Sequence, residues 1–197
     1  MQTTHTLPAD IVDGFTLVEA TLAVGLCAAL AVGLTPVLIR ATTNAGHARD
    51  RATATAAAIE RLEQLRALDW GVADDGAGGE VDVTDTATAL DAMPWSLAGT
   101  GLVAAPPDSL LRNIGGWVDH LDEHGRWMAS GPVPPAGARF VRRWNVSPLP
   151  SAPSVAIALQ VLVAPAVSEG RLGPRLDLRP RADDVWLVAV RVRERYR

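Results

Sequence analysis

Five side chains able to hold a metal ion fall within six positions: Asp119, His120, Asp122, Glu123 and His124. An EF-hand loop would need oxygen donors at alternate positions and a glycine sixth, and a zinc site would need Cys or His at set spacings. Neither pattern is present, so the stretch reads as a polar hairpin turn closed by Gly125. Of the other two histidines, His5 lies near the start of the chain and His47 in a helical stretch, which offers no base to a nucleophile. Ser130 and Ser168 stand outside any strand–turn–helix elbow. Gly76–Gly79 lacks the lysine and the strand–helix setting of a phosphate loop. Asn145-Val146-Ser147 spells a glycosylation acceptor, but inside a segment that reads as a strand. The six tryptophans read as core and interface anchors rather than a ligand box. No catalytic residue, cofactor or metal ion is expected, and the chain does not read as an enzyme.

One ionisable residue stands out by position. From Phe15 to Ile39 the chain is 25 residues of apolar and small side chains with a single charge, Glu19. A helix of that length spans about 37 Å, enough to cross a hydrocarbon core about 30 Å thick. A secretory signal would have a basic start, a shorter apolar core and a small-residue cleavage site. Here Asp10 and Asp13 precede the run, with no Lys or Arg before it. A plain membrane anchor fits the length and leaves Glu19 without a purpose. A carboxylate at membrane depth costs on the order of 3 kcal/mol even on insertion scales.

The order Gly14-Phe15-Thr16-Leu17-Val18-Glu19 resembles the processing site of type IV prepilins. The resemblance implies a leader, Met1–Gly14, removed on the cytoplasmic side by a membrane prepilin peptidase, with N-methylation of the new amino terminus at Phe15. It gives Glu19 an assembly role. In a stacked filament its carboxylate neutralises the terminal ammonium of a neighbouring subunit, which selects one axial register because an unpaired buried charge is expensive. Pro36 lies where several pilins carry a helix-bending proline, with Gly33 nearby to ease the bend. The leader departs from the family in having no basic residue: the first arginine is Arg40, on the outer side of the span.

The remaining chain has to supply a head. Residues 40–70 are rich in helix formers and lack proline, so one long helix is expected from Phe15 to about Trp70. Ile59, Leu62 and Leu65, with Ala52, Ala56 and Ala58, supply an apolar stripe, and Glu60, Arg61, Glu63 and Arg66 are expected to face water. Residues 71–115 show few periodic cues and read as a variable loop region. Strand signals follow in 116–197. Two short strands flank the turn at Asp122–Gly125, with Trp117, Leu121 and Trp127 as packing residues. Phe140–Val146, Ser154–Ala164 and Asp184–Arg193 are β-branched and aromatic. The last alternates, with Arg191 and Arg193 on one face, expected to be solvated, and Val190 and Val192 on the other. The predicted class is α+β: a pilin-like long N-terminal helix, with a membrane-spanning half (15–39) and an amphipathic half (40–70), packed on a C-terminal antiparallel β-sheet.

With 48% hydrophobic and 20% charged residues, the chain is not a disordered one. All eighteen basic residues are arginines, unevenly spread. Residues 40–138 hold seven arginines against fourteen acids, and 139–197 hold eleven against five. No recognition motif accompanies the basic part, which argues against DNA as a partner. Cys27 is the only cysteine, so no intramolecular disulfide can form. The resemblance therefore points to a minor rather than a major pilin. Arg142-Arg143-Trp144 is similar to the V-type minor pilins. The function implied is a minor pilin-like subunit that primes a type IV pilus-like filament or sits near its tip. A minor pseudopilin of a type II secretion system is the alternative, and a signal-anchored periplasmic binding protein the reading from another class. The partners implied are other pilin or pseudopilin subunits, the prepilin peptidase, the assembly platform and the bacterial inner membrane. The chain would cross that membrane once, leader in the cytoplasm and head in the periplasm, before reaching a filament at the cell surface.

Overall fold

The computed structural model describes residues 16–85, 101–166, 179 and 181–196. The leader, the Gly14–Phe15 processing site, the 86–100 part of the variable loop, Trp95 and Ser168 lie outside the described residues. The chain divides into two compact units, 1–46 and 47–197, and one helix, α1 (Leu17–Ala67), belongs to both.

In the first unit α1 is exposed on all sides, and from Leu17 to Ile39 Glu19 is its lone charge in an otherwise apolar and small-residue stretch. It is long and apolar enough to cross a membrane. Its hydroxyls are satisfied within the helix: Thr21 donates to the Val18 carbonyl, Thr35 to Ala31, and Thr42 and Thr43 both to Ile39, at 2.7–2.9 Å. Such back-bonding leaves none of these hydroxyl protons unpaired on an exposed, apolar stretch. Pro36 sits inside the helix, which continues through it. Having no N–H, Pro36 leaves the Val32 carbonyl without its intrahelical donor.

In the second unit the buried residues of α1 are Ala54, Ala57, Ala58, Arg61, Leu62 and Leu65. Their spacing traces one helix face. The face is rotated from the stripe expected from the sequence: Ile59, Ala52 and Ala56 are exposed, whereas Arg61, expected to face water, is fully buried at 0% exposure. The helix ends at Ala67 rather than Trp70, and Trp70 joins the core.

The described residues form eight strands in two sheets, and six of the strands are antiparallel to each strand they pair with. Five of them form the main sheet in the order β4 (Trp127–Ser130), β3 (Val118–Leu121), β5 (Phe140–Pro148), β6 (Ala156–Pro165), β7 (Val185–Val192), every neighbouring pair antiparallel. A small second sheet orders β2 (Glu80–Asp82), β1 (Gly71–Asp74) and β8 (Glu194–Tyr196), with β1 and β8 parallel. The α+β class expected from the sequence is the one observed. The stretch 71–115, expected as loop, contributes β1 and β2.

Side-chain alternation along β5 gives the main sheet two dissimilar faces. Phe140, Trp144 and Val146 join Ile157, Leu159, Val161 and Val163 of β6 and the buried face of α1 in one core. On the other face, Arg143 and Asn145 are covered by the chain around 105–113. Ala105 N–H donates to the Val146 carbonyl at 2.7 Å, and Arg143 places two donors on Asn113 Oδ1. Asn145 donates to Ser109 Oγ at 2.9 Å. This covering is built from loop hydrogen bonds, which have no sequence period. β5 is therefore buried on both faces from Phe140 to Val146.

Candidate functional site

Glu19 occupies the first turn of α1, an exposed position. Its backbone N–H donates to Thr16 Oγ1 at 3.3 Å, so Thr16 caps the helix and Glu19 is the third residue of the first turn. Thr-x-x-Glu is the pattern of a capping box, and a carboxylate there also meets the positive end of the helix dipole. Pro36 and Glu19 are thus both placed on α1 in the first unit, separated by 17 positions. The local reason for Glu19 was available in the sequence and stands beside the assembly role that the resemblance implies.

The five residues of the polar cluster go to three different places. Asp122 begins the β3–β4 turn, where its Oδ1 accepts the backbone N–H groups of His124 and Arg126, both at 2.8 Å. Burial pushes the Asp122 carboxyl up, but those N–H groups and the neighbouring positive charges outweigh it and hold it below the usual carboxylate range. Gly125 takes φ +78° to close the turn. Glu123 and His124 are exposed beside it. His120, fully buried on the outer sheet face, is hydrogen-bonded through Nε2 to the Gly131 carbonyl at 2.9 Å. Asp119 is buried on the opposite face, toward α1, and is not part of the turn. Among the described residues no group of three or more such side chains could hold a metal ion.

Asp119 belongs instead to a buried charged cluster that the sequence reading missed. Asp119 and Arg142 face each other across β3 and β5, with Arg142 Nη2 2.9 Å from Asp119 Oδ2. Arg142 Nη1 reaches α1, donating to the Ala57 carbonyl at 3.1 Å and to Glu60 Oε2 at 3.3 Å. Ser130 Oγ donates to the other Asp119 oxygen at 2.7 Å and accepts from the Trp127 indole at 3.1 Å. Trp127, expected as a packing residue, is 37% exposed and serves this chain of hydrogen bonds. Arg61 lies flat over Trp144, its guanidinium carbon 3.7 Å from the ring centroid, while Trp117 stacks obliquely against the same ring at 6.3 Å.

The two arginines buried between α1 and the sheet, Arg61 and Arg142, differ in kind. Arg142 has a buried carboxylate partner. Arg61 has the face of Trp144 and one long bond to Gln64 Oε1 at 3.4 Å, and its Nε and Nη2 find no acceptor among the described residues. Burial pulls the Arg61 pKa down from the usual arginine value to about 10, with Asp119 and Glu60 opposing and Arg142 adding to the drop. The cluster ties α1 to the sheet with directional bonds that an all-apolar contact would lack. Its only sequence signal is the spacing of Ala54, Ala57, Ala58, Leu62 and Leu65, which places Arg61 on their face.

The arginine face of β7 also turns out opposite to expectation. Arg191 donates to the Leu68 carbonyl just past the end of α1, and Arg193 pairs with Asp82 at 2.7 Å. A cation at a helix C-terminus meets unpaired carbonyls and the negative end of the dipole, which draws this face inward. The valines of the other face are left in solvent. Asn145, in the glycosylation triplet, is buried and bonded to Ser109. A cleft of about 200 Å³ has an apolar floor of Trp70, Leu102, Val146 and Ile157, with the Asp82–Arg193 pair among its lining. Comparison of the chain with protein-family models, curated proteins and solved structures found no match.

Proposed function

We propose that the chain is a minor pilin-like structural subunit, one that primes a type IV pilus-like filament or sits near its tip, and not an enzyme. The observation that carries this reading is the change of character along α1. Its first part exposes apolar side chains on every side with Glu19 as the lone charge, and its second part buries one face against an antiparallel sheet. An all-round apolar helix needs a lipid or protein environment. Processing after Gly14 would retain that helix, create the terminal ammonium of Phe15 and place it four positions before a carboxylate. The partners are then other pilins, the peptidase and the assembly platform, and the route runs from the inner membrane to a filament.

The Thr16 cap favours a second reading, in which Glu19 only stabilises the start of a membrane anchor. Two substitutions separate them. Glutamine serves a capping box as glutamate does, but carries no charge. Glu19→Gln and Glu19→Ala should both insert and be cleaved, and both should fail to co-purify with partner pilins, since an unpaired buried ammonium costs about 3–5 kcal/mol. Normal partner capture by Glu19→Gln would leave the helix cap as the residue's role.

A further inference from the structure

Among the described residues, the last strand of the main sheet has an uncovered edge and an uncovered face from Val188 to Val192. Arg193 N–H donates to the Val155 carbonyl at 2.7 Å, in register with the Ala156–Val192 pair. In an antiparallel ladder, alternate residues direct both backbone groups to the same neighbour. Counting back from Arg193, residues 191, 189, 187 and 185 bond to β6, and Trp186, Val188, Val190 and Val192 direct theirs away from it. β7 ends the strand order, so among the described residues no strand takes up those groups. Val188, Val190 and Val192 also expose their side chains, at 57%, 59% and 60%.

Natural edge strands are blunted by shortness, proline, bulges or charge. The opposite edge follows that rule: β4 has four residues, and its pairing with β3 shifts register at His120/Leu121. β7 has eight residues, no proline and no register shift against β6, and its one charged side chain, Arg191, turns inward to the Leu68 carbonyl.

We propose that this edge pairs with the same edge of a second copy of the chain, antiparallel and centred on Val188. The order of charges selects that occupant. Asp183 and Asp184 precede the strand, while Arg191 and Arg193 lie at its other end. An antiparallel copy sets Val188 opposite Val188 and Trp186 opposite Val190. It brings the acidic start of one strand to the basic end of the other, where Arg193 already holds Asp82 and Arg191 the Leu68 carbonyl, whereas a parallel copy sets acid beside acid. Because opposed residues share a face, the valines of both copies join into one apolar surface. The even-numbered residues, whose bonding groups point outward, become the hydrogen-bonded pairs. This pairing uses head residues alone and stands whether or not the chain is cleaved after Gly14.

The test uses the full chain in mild detergent and in membranes of producing cells, with Cys27→Ala removing the native thiol. Val188→Cys should give a covalent dimer on mild oxidation, at the two-fold axis of the pair. Val133→Cys, exposed and remote from the edge, should stay at background. Mixed Trp186→Cys and Val190→Cys chains should cross-link better than either alone, which reports the register. Val188→Glu should halve the mass measured by light scattering, after allowance for detergent, with an unchanged circular dichroism spectrum. Val188→Cys cross-linking no better than Val133→Cys would overturn the proposal. So would its cross-linking in cells to a different protein, or a Val188→Glu chain of unchanged mass.

Discussion

Arg61 and Arg142 are both buried arginines on one core, and substituting each by methionine should give unequal results. Arg142→Met leaves Asp119, 1% exposed, without the guanidinium 2.9 Å away. Breaking a buried pair from one side costs about 3–5 kcal/mol. Arg61→Met removes a cation that burial already disfavours. Keeping that guanidinium charged while its pKa falls from the usual arginine value to about 10 costs on the order of 3 kcal/mol. The desolvated contact with Trp144 returns about 2 kcal/mol. Methionine retains much of the stem packing, so the net change should lie within about 1 kcal/mol. For a chain of this size each kcal/mol moves Tm by roughly 2–4 °C. Arg142→Met should therefore lower Tm by roughly 6–20 °C, and Arg61→Met should stay within about 4 °C of the parent. The assay is thermal unfolding of the full chain in mild detergent, followed by near-ultraviolet circular dichroism of the tryptophans. An Arg61→Met chain that falls as far as Arg142→Met would refute the distinction between a paired and an unpaired buried cation.

Further outcomes follow from single contacts. Gly125→Ala should destabilise by about 1–2 kcal/mol, because φ is +78° and a Cβ would stand 3.1 Å from Thr53 Cγ2 on α1; unchanged Tm would contradict the close approach. The Asp82 carboxyl is held below its usual 3.8 by the Thr84 side chain and backbone, then by Arg193. With the folded pKa depressed, its contribution is present above 3.8 and disappears as pH falls through the folded value. Asp82→Asn should thus lower Tm at neutral pH and converge with the parent in strong acid; a constant gap would show the charge is not involved. Asn145, buried and bonded to Ser109, should remain unmodified in a glycosylating host, as mass spectrometry would show.

The elements of this fold were legible where side chains repeat with a period. Apolar content and length announced α1, β-branched and aromatic content announced β5, β6 and β7, and alternation marked the last of them. Periodicity says that a strand has two faces and not which one is covered. For β7 the choice was made by groups distant in sequence, the Leu68 carbonyl and Asp82, both of which take arginines. Arg61 was misplaced for a related reason: on a helix rich in charge it looks solvated, and only Trp144, 83 positions later, supplies the surface that receives it. The segment 101–116 gave no signal because it covers a sheet face with backbone and amide hydrogen bonds, which need no repeating pattern. Glu19 was singled out as the lone charge of the apolar run, and the Thr16 cap gives its position a local explanation that the sequence reading had not drawn.

The proposal of a pilin-like subunit depends first on where the mature chain begins. The direct measurement is the intact mass and N-terminal fragment spectrum of the protein produced with and without a prepilin peptidase. Cleavage after Gly14 with a methyl group on the Phe15 nitrogen is the expected result, and Gly14→Ala should suppress it. A chain that keeps residues 1–14 in the presence of an active peptidase, or that matures at another position, would contradict the account and leave α1 as an ordinary membrane anchor.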